Sequence, residues 1–266
     1  MHLVPESKAN ELLDILSDFI LSNRQMNDID FWTFKRRASE LPTQEEQVLI
    51  EILTYCAADR VEQAKEKALS AIRHFGHDDF VSSNIIWAMI QKGKPTVAYE
   101  AVKRMPLESS DAYDIENIVN VIWLFNDFGL DAQLNEWLIR TQQQQLIEWK
   151  QLRSEGRLMI MRDIEEKFSV SSNTINELSV LAAKVIEQHE KVVLNHTTLS
   201  ILPESSQATL TLYVECPAEK IFDLNWDLSG ALVDAELDEI RCVTHFEILP
   251  DSVPTFVERV SNASLF

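Results

Sequence analysis

Residues able to act as ligands, acids, bases or nucleophiles are scattered through this chain, and only a few of them cluster. His74, His77, Asp78 and Asp79 supply ligand types for a divalent cation. A His-x-x-His spacing can set two imidazoles on one helical face. Gly76 interrupts that pair, so the segment reads better as a turn between helices than as a metal centre. His245 beside Glu247, with Tyr213 in the same region, offers acid–base groups, but strand alternation alone does not gather them into a site. Cys56, Cys216 and Cys242 form an odd, dispersed set without a C-x-x-C pair, which fits a reducing compartment rather than a disulfide framework. Neither Cys216 nor Cys242 has an adjacent histidine in sequence, so both read as packing thiols. No catalytic residue, metal or cofactor follows from these groups, and the chain does not read as an enzyme.

The acids point elsewhere. Asp234, Glu236, Asp238 and Glu239 make an acidic turn that lacks the central glycine of a calcium loop. They read as a solvated loop or as a docking point for a basic partner. The whole chain carries a formal charge of -19 and a sequence pI near 4.7. Such a surface repels nucleic-acid phosphates and anionic lipid, and attracts a basic protein or peptide. The first residues lack a basic segment followed by an apolar one, and no apolar run reaches the roughly 20 residues needed to span a bilayer. The expectation is a cytoplasmic protein.

The elements that would hold these residues are mostly helices. With 45% apolar and 25% charged residues over 266 positions, and only five glycines, the balance is that of a helix-rich globular chain. Leu12, Ile15, Leu16, Phe19 and Ile20 mark a first helix, with Asn10 as its expected cap. Phe31 to Leu41 reads as a second, ended by Pro42, with Phe31, Trp32 and Phe34 expected in the core, an exposed aromatic anchor being the alternative, and Lys35-Arg36-Arg37 on a solvated face. Thr43-x-x-Glu46 is a capping box opening a third.

Two copies of one pattern then follow. Asn84-Ile85-Ile86-Trp87 precedes Gly93, and Asn120-Val121-Ile122-Trp123 precedes Gly129, so each apolar helical run is expected to break at its glycine before a second helix. The segments Asp59 to Ala68 and Gly93 to Val102 align with Ala98 falling 34 positions after Ala64. Helical hairpins at this period characterise α-solenoids. Over roughly residues 44–141 the chain resembles tetratricopeptide repeats, although the third copy has Leu134 near the expected alanine and the Trp-x-x-Leu-Gly start is missing. The resemblance implies a concave helical surface that binds proteins or peptides. Trp87 and Trp123, at one repeat position, are then either groove contacts or packing residues.

Beyond Asp131 the chain reads as helix continuing through Gln142 to Gln145, with a break or kink expected at Gly156. Such a long, part-exposed helix is compatible with a homodimer. Ile164 to Ile175 is similar to the helix-turn-helix family, a resemblance that places Ser171, Ser172, Asn173 and Asn176 against DNA bases. The absence of Lys or Arg between Ser169 and Lys184 runs against that use, and a capping box at Thr174 to Glu177 is the simpler account.

After Glu190 the pattern changes to strands at Val192 to Leu202, Ala208 to Glu215 and Ile240 to Leu249, with helices after Pro217 and at Val253 to Val260. The expected fold class is therefore α+β: an all-α, tetratricopeptide-like domain over residues 1–190, then a small α+β domain over 191–266. The β-β-α-β-α order admits a ferredoxin-like sheet. Function is expected to be an acidic interaction module or adaptor. An antitoxin- or immunity-type inhibitor of a basic effector and a helix-turn-helix regulator are the alternatives.

Overall fold

The protein's structure is a computed structural model that describes residues 8–22, 24–105, 112–201 and 207–250, with backbone alone at 112–114, 152, 153 and 155. The terminal helix expected at Val253 to Val260 lies outside the described residues. The class is α+β: helices dominate, and a three-stranded sheet follows near the C-terminal end. The chain divides into two compact units, Met1–Pro106 and Leu107–Phe266. Composition changes near residue 190, but packing groups the last helices with the sheet.

The N-terminal unit holds α1 (Lys8–Leu21), α2 (Asp28–Ser39), α3 (Gln44–Ala57), α4 (Val61–Phe75), α5 (Asp79–Gln91) and α6 (Pro95–Arg104). Asn10 lies inside α1 rather than capping it. The Asn27 side chain caps α2, and Thr43 caps α3 by accepting from Glu46 N at 3.2 Å. Antiparallel neighbours α3–α4 and α5–α6 form two hairpins, with α3 packed on α5 and α4 on α6. Ala64, Ala68, Ala98 and Ala101 are fully enclosed, so the helix axes approach closely there. Helix α5 is apolar on nearly every side and buried accordingly, with Ile85, Ile86 and Met89 at zero exposure.

The C-terminal unit contains α7 (Ala112–Leu124), α8 (Phe128–Arg140), α9 (Gln144–Phe168), α10 (Ser172–Ile186), β1 (Val193–Ile201), β2 (Ala208–Glu215), α11 (Lys220–Asp234) and β3 (Cys242–Ile248). Gly129, expected to break the third repeat copy, sits inside α8. The turn is made instead at Asn126, whose φ of 50° is left-handed. Asn tolerates that conformation because its short polar side chain bonds locally. The glutamine run, expected inside one helix, holds a turn at Gln142 (φ 58°) and Gln143; α9 opens at Gln144 and continues helical through Gly156.

One turn recurs through both units. Arg60 N bonds to Tyr55 O, Lys94 N to Met89 O, Asp127 N to Ile122 O and Gln143 N to Leu138 O. Each of these closes a helix around a left-handed residue: Asp59, Gly93, Asn126 or Gln142. This is the Schellman arrangement, which satisfies carbonyls left open at a helix end. The first three of those residues are spaced by 34 and 33 positions.

In the sheet, β1 runs antiparallel to β2, and β2 runs parallel to β3. A ferredoxin-like split would need another strand between the parallel pair; here β2 and β3 are directly hydrogen-bonded, in the order β1-β2-β3. In β2, Leu210, Leu212 and Val214 are sealed in the core beside Leu199 and Phe246; on the other face Thr209 and Thr211 are buried too, and only Tyr213 stays part-exposed before Glu215. Helices α7, α9 and α10 pack on β1, and α11 packs on β3 and α10. Asn225 of α11 both accepts from Phe246 N and donates to Phe246 O on β3. No described helix is long and apolar enough to cross a membrane.

Candidate interaction surfaces

The residues singled out in sequence separate into different settings. Trp87 is half-buried on α5 in the N-terminal unit. Trp123 lies in the last turn of α7 in the C-terminal unit, stacked on Trp149 with ring centroids 6.4 Å apart. The Arg157 guanidinium lies 5.7 Å from the Trp123 ring and donates to the Trp123 carbonyl at 2.9 Å. Trp123 is thus tied into packing on one side while lining a small cleft with Asp127, Asp131, Ser154 and Arg157.

Behind that cleft is a polar network invisible in the sequence. Arg157 also donates to Asn126 Oδ1 at 2.6 Å and to Thr197 O at 3.1 Å. Asn126 in turn donates to Ser179 Oγ at 3.0 Å, and Thr197 Oγ1 donates to the Trp123 carbonyl at 2.8 Å. One cation thereby links the α7–α8 turn, α9, α10 and β1. Burial lowers the Arg157 pKa to about 10, a shift that Asp131 opposes. Beside it, Lys150 and Asp131 form a pair at 2.8 Å whose side chains are 3% and 9% exposed. These groups hold the unit together, and their acceptors are mostly backbone carbonyls and amides already in use.

The helix-turn-helix residues sit at the start of α10. Ser171 is the N-cap, accepting from Thr174 N at 3.1 Å, so the helix opens three residues before the expected capping box at Thr174. Ser172 is its first residue, and Asn173 is exposed. Asn176 donates to the Phe125 carbonyl at 2.7 Å and is occupied within the unit. The exposed side of this segment also carries Glu165, Glu166 and Glu177.

Asp78 caps α5 by accepting from Val81 N, and His74 Nδ1 contacts the Ser70 carbonyl. No set of three His, Cys, Asp or Glu side chains is gathered for a metal among the described residues. His245 Nε2 meets Glu247 Oε1 at 3.0 Å on the outer face of the sheet, where Tyr213 lies in register with Glu247 and stacks on His196. Burial pushes the Cys56 thiol up to about 12 and the Cys242 thiol up to about 11, so both are protonated at neutral pH.

Asp234, Glu236, Asp238 and Glu239 are all exposed and form no ion pair with another described residue. They surround the end of α11. Glu236 is itself the left-handed residue of a further Schellman turn, with Leu237 N bonded to Leu232 O.

Two apolar surfaces are exposed on the described helices, one on α2 and one on α11. On α2, Phe31 is 1% and Phe34 8% exposed, but Trp32, expected in the core, is 62% exposed beside Ile29 at 80%. On α11, Phe222 (69%), Trp226 (70%) and Val233 (59%) point outward, while Leu224 and Leu228 face the core. The signal was present: 222, 226 and 233 share one helical face, and 224 and 228 share another.

Compared with known proteins, the chain matches no family model, no curated protein and no solved structure.

Proposed function

We propose that this protein is an acidic protein–protein interaction module of the tetratricopeptide-repeat-like kind, acting in the cytoplasm on a protein or peptide partner, with a basic partner favoured. The observation that carries this reading is the combination of large apolar side chains left in solvent with a chain charge of -19. Exposed aromatic patches rimmed by polar residues mark interaction surfaces, and aromatic anchors dominate binding energies at such surfaces. The recurring turn at Asp59, Gly93 and Asn126 supports the repeat reading, since one supersecondary unit repeated at this period builds helical scaffolds for binding.

The test is capture of partners from native lysate by the full-length protein at low and high salt, with nuclease in parallel. The expected result is a basic protein retained after nuclease and weakened by salt, because charge-steered association is screened. Retention of nucleic acid alone would replace this reading. A narrower version makes the protein an antitoxin- or immunity-type inhibitor that masks a basic effector; co-expression with the captured protein would then neutralise a measurable activity. The α9–turn–α10 geometry favours one second reading, a helix-turn-helix regulator. A mobility shift on the protein's own upstream DNA that disappears on changing Ser172 and Asn173 would establish it instead.

A further inference from the structure

Helix α11 has two apolar sides, and only one is used by the fold. Its inner side, Leu224 and Leu228, packs toward the core. Its outer side carries Phe222 and Trp226, stacked with ring centroids 6.4 Å apart and planes 20° from parallel. Ser229 and Gly230 follow, and a Cβ placed on Gly230 would meet nothing within 4 Å. Val233 closes the stripe. From Phe222 to Val233 it runs ~16 Å, about three helical turns. Its shape is two stacked rings, a low saddle and a branched residue, in a straight line that suits the ridge of another helix.

The charges around this stripe are mostly negative, with Lys220 before Phe222 and exposed Arg241 after Glu239 as the exceptions. Asp223 and Asp227 flank the rings, with Asp227 paired to His189 at 2.9 Å. Beyond Val233 come Asp234, Glu236, Asp238 and Glu239, without ion pairs to other described residues. The negative end of the α11 dipole points the same way. Exposed carboxylates at a helix C-terminus oppose that dipole, so they are better satisfied by an arriving cation than by their own helix.

The α2 patch lacks this asymmetry. Lys35 pairs with Glu51, Arg37 with Glu11, and Arg60 with Asp28, so charge near Ile29 and Trp32 is already matched internally. A second copy is a poor occupant of the α11 face, because each copy brings the same net charge of -19 to the contact.

We propose that the outer face of α11, centred on Phe222 and Trp226, docks a basic amphipathic helix of a partner protein. The partner's apolar side lies on the two rings, the Gly230 saddle and Val233, and its cationic side lies over Asp234, Glu236, Asp238 and Glu239. This inference rests on the interaction reading above and assigns its surface.

The experiment uses the full-length protein and a synthetic amphipathic Lys/Leu helix of about 18 residues, with a scrambled peptide of the same composition as control. Binding is followed by the fluorescence anisotropy of a dye attached to the peptide, a signal that does not depend on Trp226. The amphipathic peptide binds, the scrambled one binds at least about tenfold more weakly, and F222S/W226S loses about tenfold or more in affinity. D234N/E236Q/D238N/E239Q loses most of the difference between about 50 mM and about 500 mM salt. All six positions are exposed, and circular dichroism of each variant checks the fold. Equal binding of both peptides, no binding, or an unaffected F222S/W226S variant overturns the assignment. So does a concentration-dependent dimer that F222S/W226S abolishes, since the occupant is then a second copy. Lysate capture separates this from the broader reading: a partner held equally by wild type and F222S/W226S removes the α11 surface alone. A wild type that holds no protein removes the interaction reading itself.

Discussion

The two units solve the problem of burying a core in different ways. In the N-terminal unit the interior is almost wholly apolar, built from Leu49, Ile50, Ile52, Leu53, Ile85 and Ile86, and ion pairs such as Lys67–Glu51 sit nearer the surface. In the C-terminal unit a polar network runs through the interior: Arg157, Asn126, Ser179 and Thr197, with the Lys150–Asp131 pair beside it. Stacked hairpins present complementary apolar stripes and need little else. Joining helices to a sheet brings helix ends and strand backbone together, and their unpaired carbonyls need donors. Arg157 serves three acceptors at once, two of them backbone carbonyls. The first unit is held by packing that tolerates small adjustments; the second depends on a few groups whose partners are fixed.

The largest expected effect tests that dependence. Lys150→Met leaves the Asp131 carboxylate buried without its cation, and breaking a buried pair in this way costs about 3–5 kcal/mol. Hydrogen exchange should quicken across α8 to β1 and stay unchanged across α3 to α6. The mirror experiment is Leu53→Ala at a fully enclosed site, with an expected loss of about 2–4 kcal/mol and faster exchange in the N-terminal unit only. If either variant loosens both units equally, the contrast between them is wrong.

Acid separates the units more gently. Burial would raise the Glu51 pKa, but hydrogen bonds from Lys67 and Lys35 outweigh it and hold the carboxyl below its usual 4.5. A carboxylate depressed in the folded state stabilises above the unfolded value and loses that contribution as pH falls through the folded one. Both partners are part-exposed, so the contribution is about 1 kcal/mol or less. Denaturant titrations should show it vanish below about pH 4.5 in the native protein and be absent throughout in Glu51→Gln. The smallest effect concerns what the units share. Asp59→Gly and Gln142→Gly relieve left-handed strain in the same turn and should each stabilise by about 0.5–1 kcal/mol, read as a shift in the denaturation midpoint. The gain at Asp59 is reduced by loss of its 3.6 Å contact with Lys92.

Periodicity carried much of the architecture. The strand at Ala208–Glu215, the capped start of α3 and the hairpins around Ala64 and Ala98 follow from local patterns, because each is decided by neighbours a few residues away. Turn positions were harder to read. Gly129 looked like a break and Gly156 like a break or kink; both lie inside helices, and Asn126 and Gln142 adopted the left-handed conformation instead. The Arg157 network could not be anticipated, since its bonds reach 31 to 40 positions along the chain and end largely on backbone oxygens, which leave no mark on residue identity. Trp32 ended outside the core for a related reason: hydrophobicity says that a side chain prefers cover, not that its own chain provides it.

The Asn225 side chain has a consequence for the sheet's behaviour in a crowded solution. Leu249 N bonds to Val214 O, so Phe246, of opposite parity on β3, turns its backbone N–H and C=O away from β2. Those two groups would otherwise be an open template for a strand from another molecule, and Asn225 occupies both with one amide. A side chain on a helix therefore stands in for a fourth strand and blunts a sticky edge. Its replacement by leucine would matter less to folding than to solubility, appearing as slow, concentration-dependent aggregation of a chain whose own charge otherwise keeps copies apart.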